Sequence, residues 1–184
     1  SYNGESVRAS KARLGRLLGK TWRFVLAVLC IALLAGGAAL VLTVSSWGWA
    51  LVGFAALPLL LLEWDKYELE NPYKIEGTID GVLAADVLGR LGKDPTPQQL
   101  AAIVASVPSG QFFAIRFGIT GGVLQNITTD QAADTTAIWQ AAMAIREQTN
   151  SPTISGAILV VAIMQSFAAH DQLLAHMKLD MDDL

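Results

Sequence analysis

The stretch WRFVLAVLCIALLAGGAALVLTV, residues 22–44, is followed after Ser45 and Ser46 by WGWALVGFAALPLLLL, residues 47–62. Between Trp22 and Leu62 the only ionisable side chains are Arg23 and Cys30. At about 1.5 Å per residue the first run covers the roughly 30 Å hydrocarbon core of a bilayer. The second is shorter, but Trp47, Trp49 and Trp64 flank it where indole rings favour the membrane interface. The sequence therefore predicts a transmembrane helical hairpin over residues 22–62, anchored at the interfaces by Trp22, Arg23, Trp47, Trp49 and Trp64. A two-residue connection makes the spans antiparallel neighbours.

Working outward, the hairpin accounts for a composition too apolar for an ordinary soluble domain: 53% hydrophobic, 16% charged, mean hydropathy +0.43. Pro58 removes a backbone donor from the second span. Gly36, Gly37 and Gly53 read as ordinary membrane-helix composition rather than a dimer face, since no G-x-x-x-G occurs there. Cys30 reads as a small lipid-compatible residue. A signal peptide is the rival for the first run, but its length and the second run directly after it argue against cleavage.

Six basic residues precede the hairpin (Arg8, Lys11, Arg13, Arg16, Lys20 and Arg23), Lys66 and Lys74 follow it, and the turn has none. The positive-inside bias then puts both ends in the cytoplasm, at the cell membrane. Residues 1–21 read as a basic cytoplasmic segment. Leu14, Leu17 and Leu18 on one helical face and Arg13, Arg16 and Lys20 on another suit either an anionic leaflet or a plain charged flank.

Beyond an acidic connector, residues 63–77, the pattern is all-α. Asp80 is expected to cap a helix to Leu91, Thr96 with Pro97 to start a second, and Ser109 to cap a third that Gly118 ends. Thr128 with Gln131 reads as a capping box for the longest helix, residues 130–148. Ser155 caps the next, Asp171 starts another and Asp180 caps a final turn. Gly118, Gly121 and Gly122 read as a helix end and loose linker; no strand precedes them and no lysine follows, so they make a poor phosphate loop.

This half repeats itself. Thr78-Ile79-Asp80-Gly81 matches Thr153-Ile154-Ser155-Gly156, and Gln111-Phe112-Phe113-Ala114 matches Gln172-Leu173-Leu174-Ala175. The first copy lacks a helix comparable to the long one before the second opening block, leaving it truncated unless the connector replaces the packing.

The second copy resembles the repeat of the Clp N-terminal domain through Ile154, Ser155, Leu159, Val160, Ala162, Ile163, Met164, Leu173, Leu174, Met177, Leu179, Asp180 and Leu184. The first resembles it more weakly, through Ile79, Leu83, Val87, Leu88, Leu91, Phe112, Phe113, Phe117, Gly118 and Ile119. The resemblance covers about residues 78–184 and implies a double Clp-repeat-like helical domain. In that family the module docks adaptors and protein substrates at the front of AAA+ unfoldases. The preceding hairpin and the missing ATPase depart from the pattern.

No catalytic constellation stands out: there is no Walker loop, H-E-x-x-H, C-x-x-C or G-x-S-x-G. His170 and His176 fall on different helical faces, and Asp180, Asp182 and Asp183 lack the glycine turn and distal Glu of a calcium loop. The sequence is therefore read as non-enzymatic, with no catalytic, cofactor or metal residues and no cofactor. Residues 80–184 carry five basic and ten acidic side chains, which disfavours nucleic acid as a partner.

Phe112, Phe113 and Phe117 are foremost core candidates; a partly exposed Phe there could line a peptide groove, as the resemblance implies. The expected partners are a lipid bilayer, a protein substrate or adaptor, and an AAA+ ATPase ring in the same longer chain. The absence of an initiating Met and the end at Leu184 suggest a piece of a longer protein. The expected function is a membrane-anchored protein-interaction module, the substrate- or adaptor-docking part of a Clp-like AAA+ unfoldase. The rival is a small two-helix subunit or assembly factor of a larger membrane complex, with the hairpin as its working part.

Overall fold

The computed structural model describes residues 1–43, 46–70, 72, 78–129 and 134–167, the side chains at 65–68, 70, 113 and 114 excepted. It is mostly helical, and no strand occurs among the described residues. The chain divides into two compact units, Leu14–Asn71 and a discontinuous one made of Ser1–Arg13 and Pro72–Leu184.

In the Leu14–Asn71 unit, helix α1 (Val7–Leu42) carries the first apolar run, and α2 (Trp47–Phe54) with α3 (Ala56–Glu70) carries the second. Two helices are long and apolar enough to cross a membrane, Val7–Leu42 and Trp47–Trp64. Many of their large apolar side chains, among them Phe24, Ile31, Leu42, Phe54 and Leu60, are exposed. The regular helix of α1 is interrupted at Gly19, whose φ of 61° and ψ of −164° only glycine adopts at low cost.

The second run divides at Ala55, three residues before Pro58. Pro58 has no N–H to donate to the Phe54 carbonyl, and its ring crowds that carbonyl, so the helix restarts as α3. The Cys30 thiol lies 3.5 Å from the Ala55 carbonyl. Gly37 and Gly48 sit where the two runs touch. A methyl group added at Gly48 would come within 2.6 Å of the Gly37 carbonyl, and one added at Gly37 within 2.9 Å of the Gly48 carbonyl. Gly36 and Gly53 face open space. The glycines thus divide by role: one of the three named from sequence, with Gly48, closes the hairpin on itself.

The discontinuous unit begins upstream of the hairpin, where sequence reading expected a separate basic segment over residues 1–21. Instead, Ser1–Arg13 packs with residues beyond Pro72. Ser6 accepts from the Ala9 amide to open α1, and Arg8, Ala9 and Ala12 are buried.

Downstream, the helix expected from Asp80 to Leu91 is broken. Asp80–Val82 forms a 3-10 turn, Leu83 and Ala84 are extended, and α4 (Ala85–Leu88) follows with Ala84 at its N-cap. Asp80 is buried and does not cap α4; its Oδ1 has no hydrogen-bond partner among the described residues. The cause is the pairing of Leu83 with Ile154 in a short parallel bridge, which requires extended backbone at Leu83.

Helix α5 (Pro97–Ser106) starts as expected, with a reciprocal capping box: the Thr96 hydroxyl accepts from the Gln99 amide and the Gln99 side chain from the Thr96 amide. Helix α6 (Pro108–Phe117) takes Val107, not Ser109, as its N-cap, with Pro108 in the first turn, and ends at Gly118 in the left-handed conformation. The segment read as a loose linker is in fact helix α7 (Gly121–Thr129). Its Val123 amide donates to the Thr120 hydroxyl, and it buries Leu124, Ile127 and Thr128.

Thr128 therefore belongs inside α7, its hydroxyl donating to the Gln125 carbonyl, and does not cap the next helix. That helix, α8 (Thr135–Gln148), is capped by Asp134, which accepts from the Thr136 amide at 2.9 Å. Gln131 lies outside the described residues. Helix α9 (Gly156–Ser166) is capped by Ser155 as expected, and α8, α5, α6 and α7 all pack around it. The second matching block, 172–175, and His170, His176, Asp180, Asp182 and Asp183 also lie outside the described residues.

Candidate interaction surface

Among the described residues of the discontinuous unit, helix α6 presents two large apolar side chains outward. Its first turn is fixed from below: Val107 is buried, and the Gly156 amide at the start of α9 donates to the Ser109 hydroxyl at 3.0 Å. A side chain at Gly156 would collide with Val107 and Ser109, so the close approach needs glycine. Ser109 is thus a tie between α6 and α9 rather than the cap read from sequence.

From that base, Phe112 and Ile115 stand out at one helical spacing, 56% and 87% exposed. Arg116 follows in the last turn, where a cation is favoured by the helix dipole. Its guanidinium lies 5.7 Å from the centroid of the Phe117 ring, within cation–π range. Phe117 itself is only part-covered, and the Phe113 side chain is not among those described.

Of the three candidate phenylalanines, then, Phe112 is exposed rather than a core residue. Ile115 was missed, although its i, i+3 spacing from Phe112 marks the same face. The arrangement offers two apolar anchors beside a cation and a polarised ring. Such a face can bind apolar side chains of a polypeptide and, through Arg116, donate hydrogen bonds to its carboxylates.

In the Leu14–Asn71 unit, Trp22, Trp47, Trp49 and Trp64 are all exposed. Trp22 and Arg23 lie near the start of the first apolar run, Trp47 and Trp49 open the second and Trp64 lies within α3, close to its end. Their sequence positions bracket the two runs at opposite ends, as interfacial anchors require.

A second set of contacts, unforeseen from sequence, holds Ser1–Arg13. The Ile79 amide donates to the Ser1 carbonyl at 2.9 Å, and the Tyr2 hydroxyl to the Gly92 carbonyl at 3.0 Å. Tyr2 also packs on Trp139 of α8, ring centroids 5.6 Å apart, and its burial pushes the phenol above its usual pKa. Buried Arg8 donates through Nη2 to the Leu83 carbonyl at 3.1 Å; Arg13 donates through Nε to the Leu91 carbonyl at 3.0 Å and also to the Gly4 carbonyl. Glu5 pairs with Lys93 at 2.6 Å, which holds its carboxyl below the usual range. Arg8 and Arg13, read from sequence as part of a basic flank, are in this way structural.

No protein-family model, curated protein or solved structure matches the chain.

Proposed function

We propose that this chain is a membrane-anchored protein-interaction module that docks polypeptide substrates or adaptors, as the N-terminal docking part of a Clp-like AAA+ unfoldase. The observation that carries the reading is the exposed Phe112–Ile115 pair on α6, a helix whose opposite side is tied into the unit through Ser109 and Gly156. Rigidly held apolar side chains at a helix surface lose little entropy on binding, which favours capture of unfolded or apolar segments. The hairpin supplies the address: with both ends cytoplasmic, it keeps docking at the inner face of the cell membrane, where an ATPase ring in the same longer chain would take the captured polypeptide.

The test is a titration of the full chain in lipid nanodiscs with a fluorescently labelled, permanently unfolded polypeptide such as reduced, carboxymethylated α-lactalbumin. Phe112→Ser combined with Ile115→Ser is expected to weaken binding at least about tenfold, since burial of each side chain is worth about 1.5–3 kcal/mol. Amide exchange of α9 should stay unchanged. Absence of binding by the unaltered chain, or equal binding by the double variant, would refute the reading.

A further inference from the structure

The membrane hairpin does not precede the helical domain but interrupts it. The chain enters the discontinuous unit at Ser1, leaves after Arg13, and returns at Pro72. Its first segment occupies the place that sequence reading found empty. In the second copy, α8 precedes the Ile154–Ser155 opening; in the first, the start of α1 stands against the corresponding Leu83–Ala84 opening, with Arg8 bonded to the Leu83 carbonyl. The buried Arg8, Ala9 and Ala12 of α1 have the spacing of the buried Ile138, Trp139 and Ala142 of α8.

The docking is close backbone to backbone as well as polar. A Cβ at Gly89 would come within 2.7 Å of the Ala12 carbonyl, and one at Gly4 would collide with the backbone of Lys93. One glycine lies on the docked segment and the other on its seat, so both surfaces are shaped for this contact.

We infer that Ser1–Arg13 is a latch that closes only when both ends of the hairpin lie on the same side of the membrane, so that the helical domain completes its first repeat after two-span insertion and not before. The latch residues are joined to the start of the first span and their seat to the end of the second. A single span separates them by the bilayer; two spans reunite them. The inference does not depend on what α6 binds.

The full chain in lipid nanodiscs is the material for the test, with hydrogen exchange of the Ile79 amide as the readout, because that N–H is bonded to the Ser1 carbonyl. Gly4→Val with Gly89→Val is expected to speed exchange at Ile79 by at least about tenfold while the Ile154 and Ala84 amides, bonded across the bridge, keep their protection. A second variant replaces residues 47–62 with a polar linker of equal length, leaving one span. It should lose protection at Ile79 and regain it when a synthetic peptide of residues 1–13 is added on the side of the helical domain. Unprotected Ile79 in the unaltered chain, undiminished protection in the one-span variant, or failure of the peptide to restore it would each overturn the inference.

Discussion

Leu83 and Ile154 pair in parallel across the centre of the helical unit: the Ile154 amide donates to the Val82 carbonyl at 2.7 Å, and the Ala84 amide donates to the Ile154 carbonyl at 3.0 Å. Ala84 and Ser155 directly follow the paired residues, each in extended conformation at the N-cap of the helix that follows, α4 or α9. Ser155 accepts from the Ile158 amide, whereas Ala84 has no side chain to cap with. Ala84→Ser should therefore stabilise the unit by about 0.5–1 kcal/mol and Ser155→Ala destabilise it by about 1 kcal/mol. Urea midpoints of the nanodisc-held chain, followed by Trp139 fluorescence, would measure both; a loss of stability in Ala84→Ser would mean that the two N-caps are not equivalent.

Removing side chain at the bridge itself has a larger expected effect. Ile154 is fully buried, so Ile154→Ala leaves a cavity beside Leu83 and should cost about 2–5 kcal/mol, while Ile154→Val, which keeps the backbone bonds and most of the volume, should cost about 0.5–1.5 kcal/mol. The same urea titration distinguishes them, and equal midpoints for the two variants would show that Ile154 is not a packing residue.

The fold was legible where one local signal decides it. The two apolar runs, the Thr96–Pro97 start of α5, the Gly118 stop and the Ser155 cap each depend on neighbouring residues alone, and each stands as expected. The misreadings share another cause. Thr128 and Gln131 have the spacing of a capping box, but Asp134 competes for the same task closer to the apolar face of α8, and Leu124 and Ile127 draw Thr128 into α7. Asp80 precedes an apolar run, yet the bridge to Ile154, more than seventy residues away, holds Leu83 extended and delays the helix.

Ile79 and Ile154 match in sequence, but the residue that pairs with Ile154 lies four positions further on, at Leu83. A Thr-Ile pair occurs before both helices, and only the long-range backbone bonds show that Leu83, not Ile79, is the partner of Ile154. On α6, Phe112 and Phe117 could be named from sequence but not sorted, because exposure depends on how Ser109 and Gly156 orient the helix. Arg8 and Arg13 read as solvated cations because their acceptors are backbone carbonyls far along the chain, which carry no sequence signal.

Tyr2 provides a pH dependence with a definite sign. Burial beside Trp139 raises its pKa in the folded state above the ordinary value near 10. A raised pKa means that the stability Tyr2 contributes is fully present below the unfolded pKa and is lost as pH rises through the folded one. Exchange at Ile79 should accordingly speed up above about pH 10 beyond the intrinsic base-catalysed trend, with parallel ionisation seen as absorbance near 295 nm. Tyr2→Phe should abolish that extra dependence, at the loss of the hydrogen bond to Gly92. A profile identical in the two proteins would place the alkaline transition elsewhere.

The hairpin supports a prediction that separates its glycines. Gly48→Val puts a branched side chain against the Gly37 carbonyl and the Val41 backbone, and overpacking of this kind costs about 1–3 kcal/mol. A Cβ added at Gly36 or Gly53 meets nothing within 4 Å, so Gly36→Val and Gly53→Val should leave the hairpin unchanged. Cys30 supplies a local reporter, since its thiol lies against the Ala55 carbonyl on the facing run. Labelling of Cys30 by a membrane-permeant maleimide should accelerate in Gly48→Val and stay at the unaltered rate in Gly36→Val. If both variants label alike, the contact between Gly37 and Gly48 does not hold the two runs together, and closure of the hairpin rests on the loop and the lipid alone.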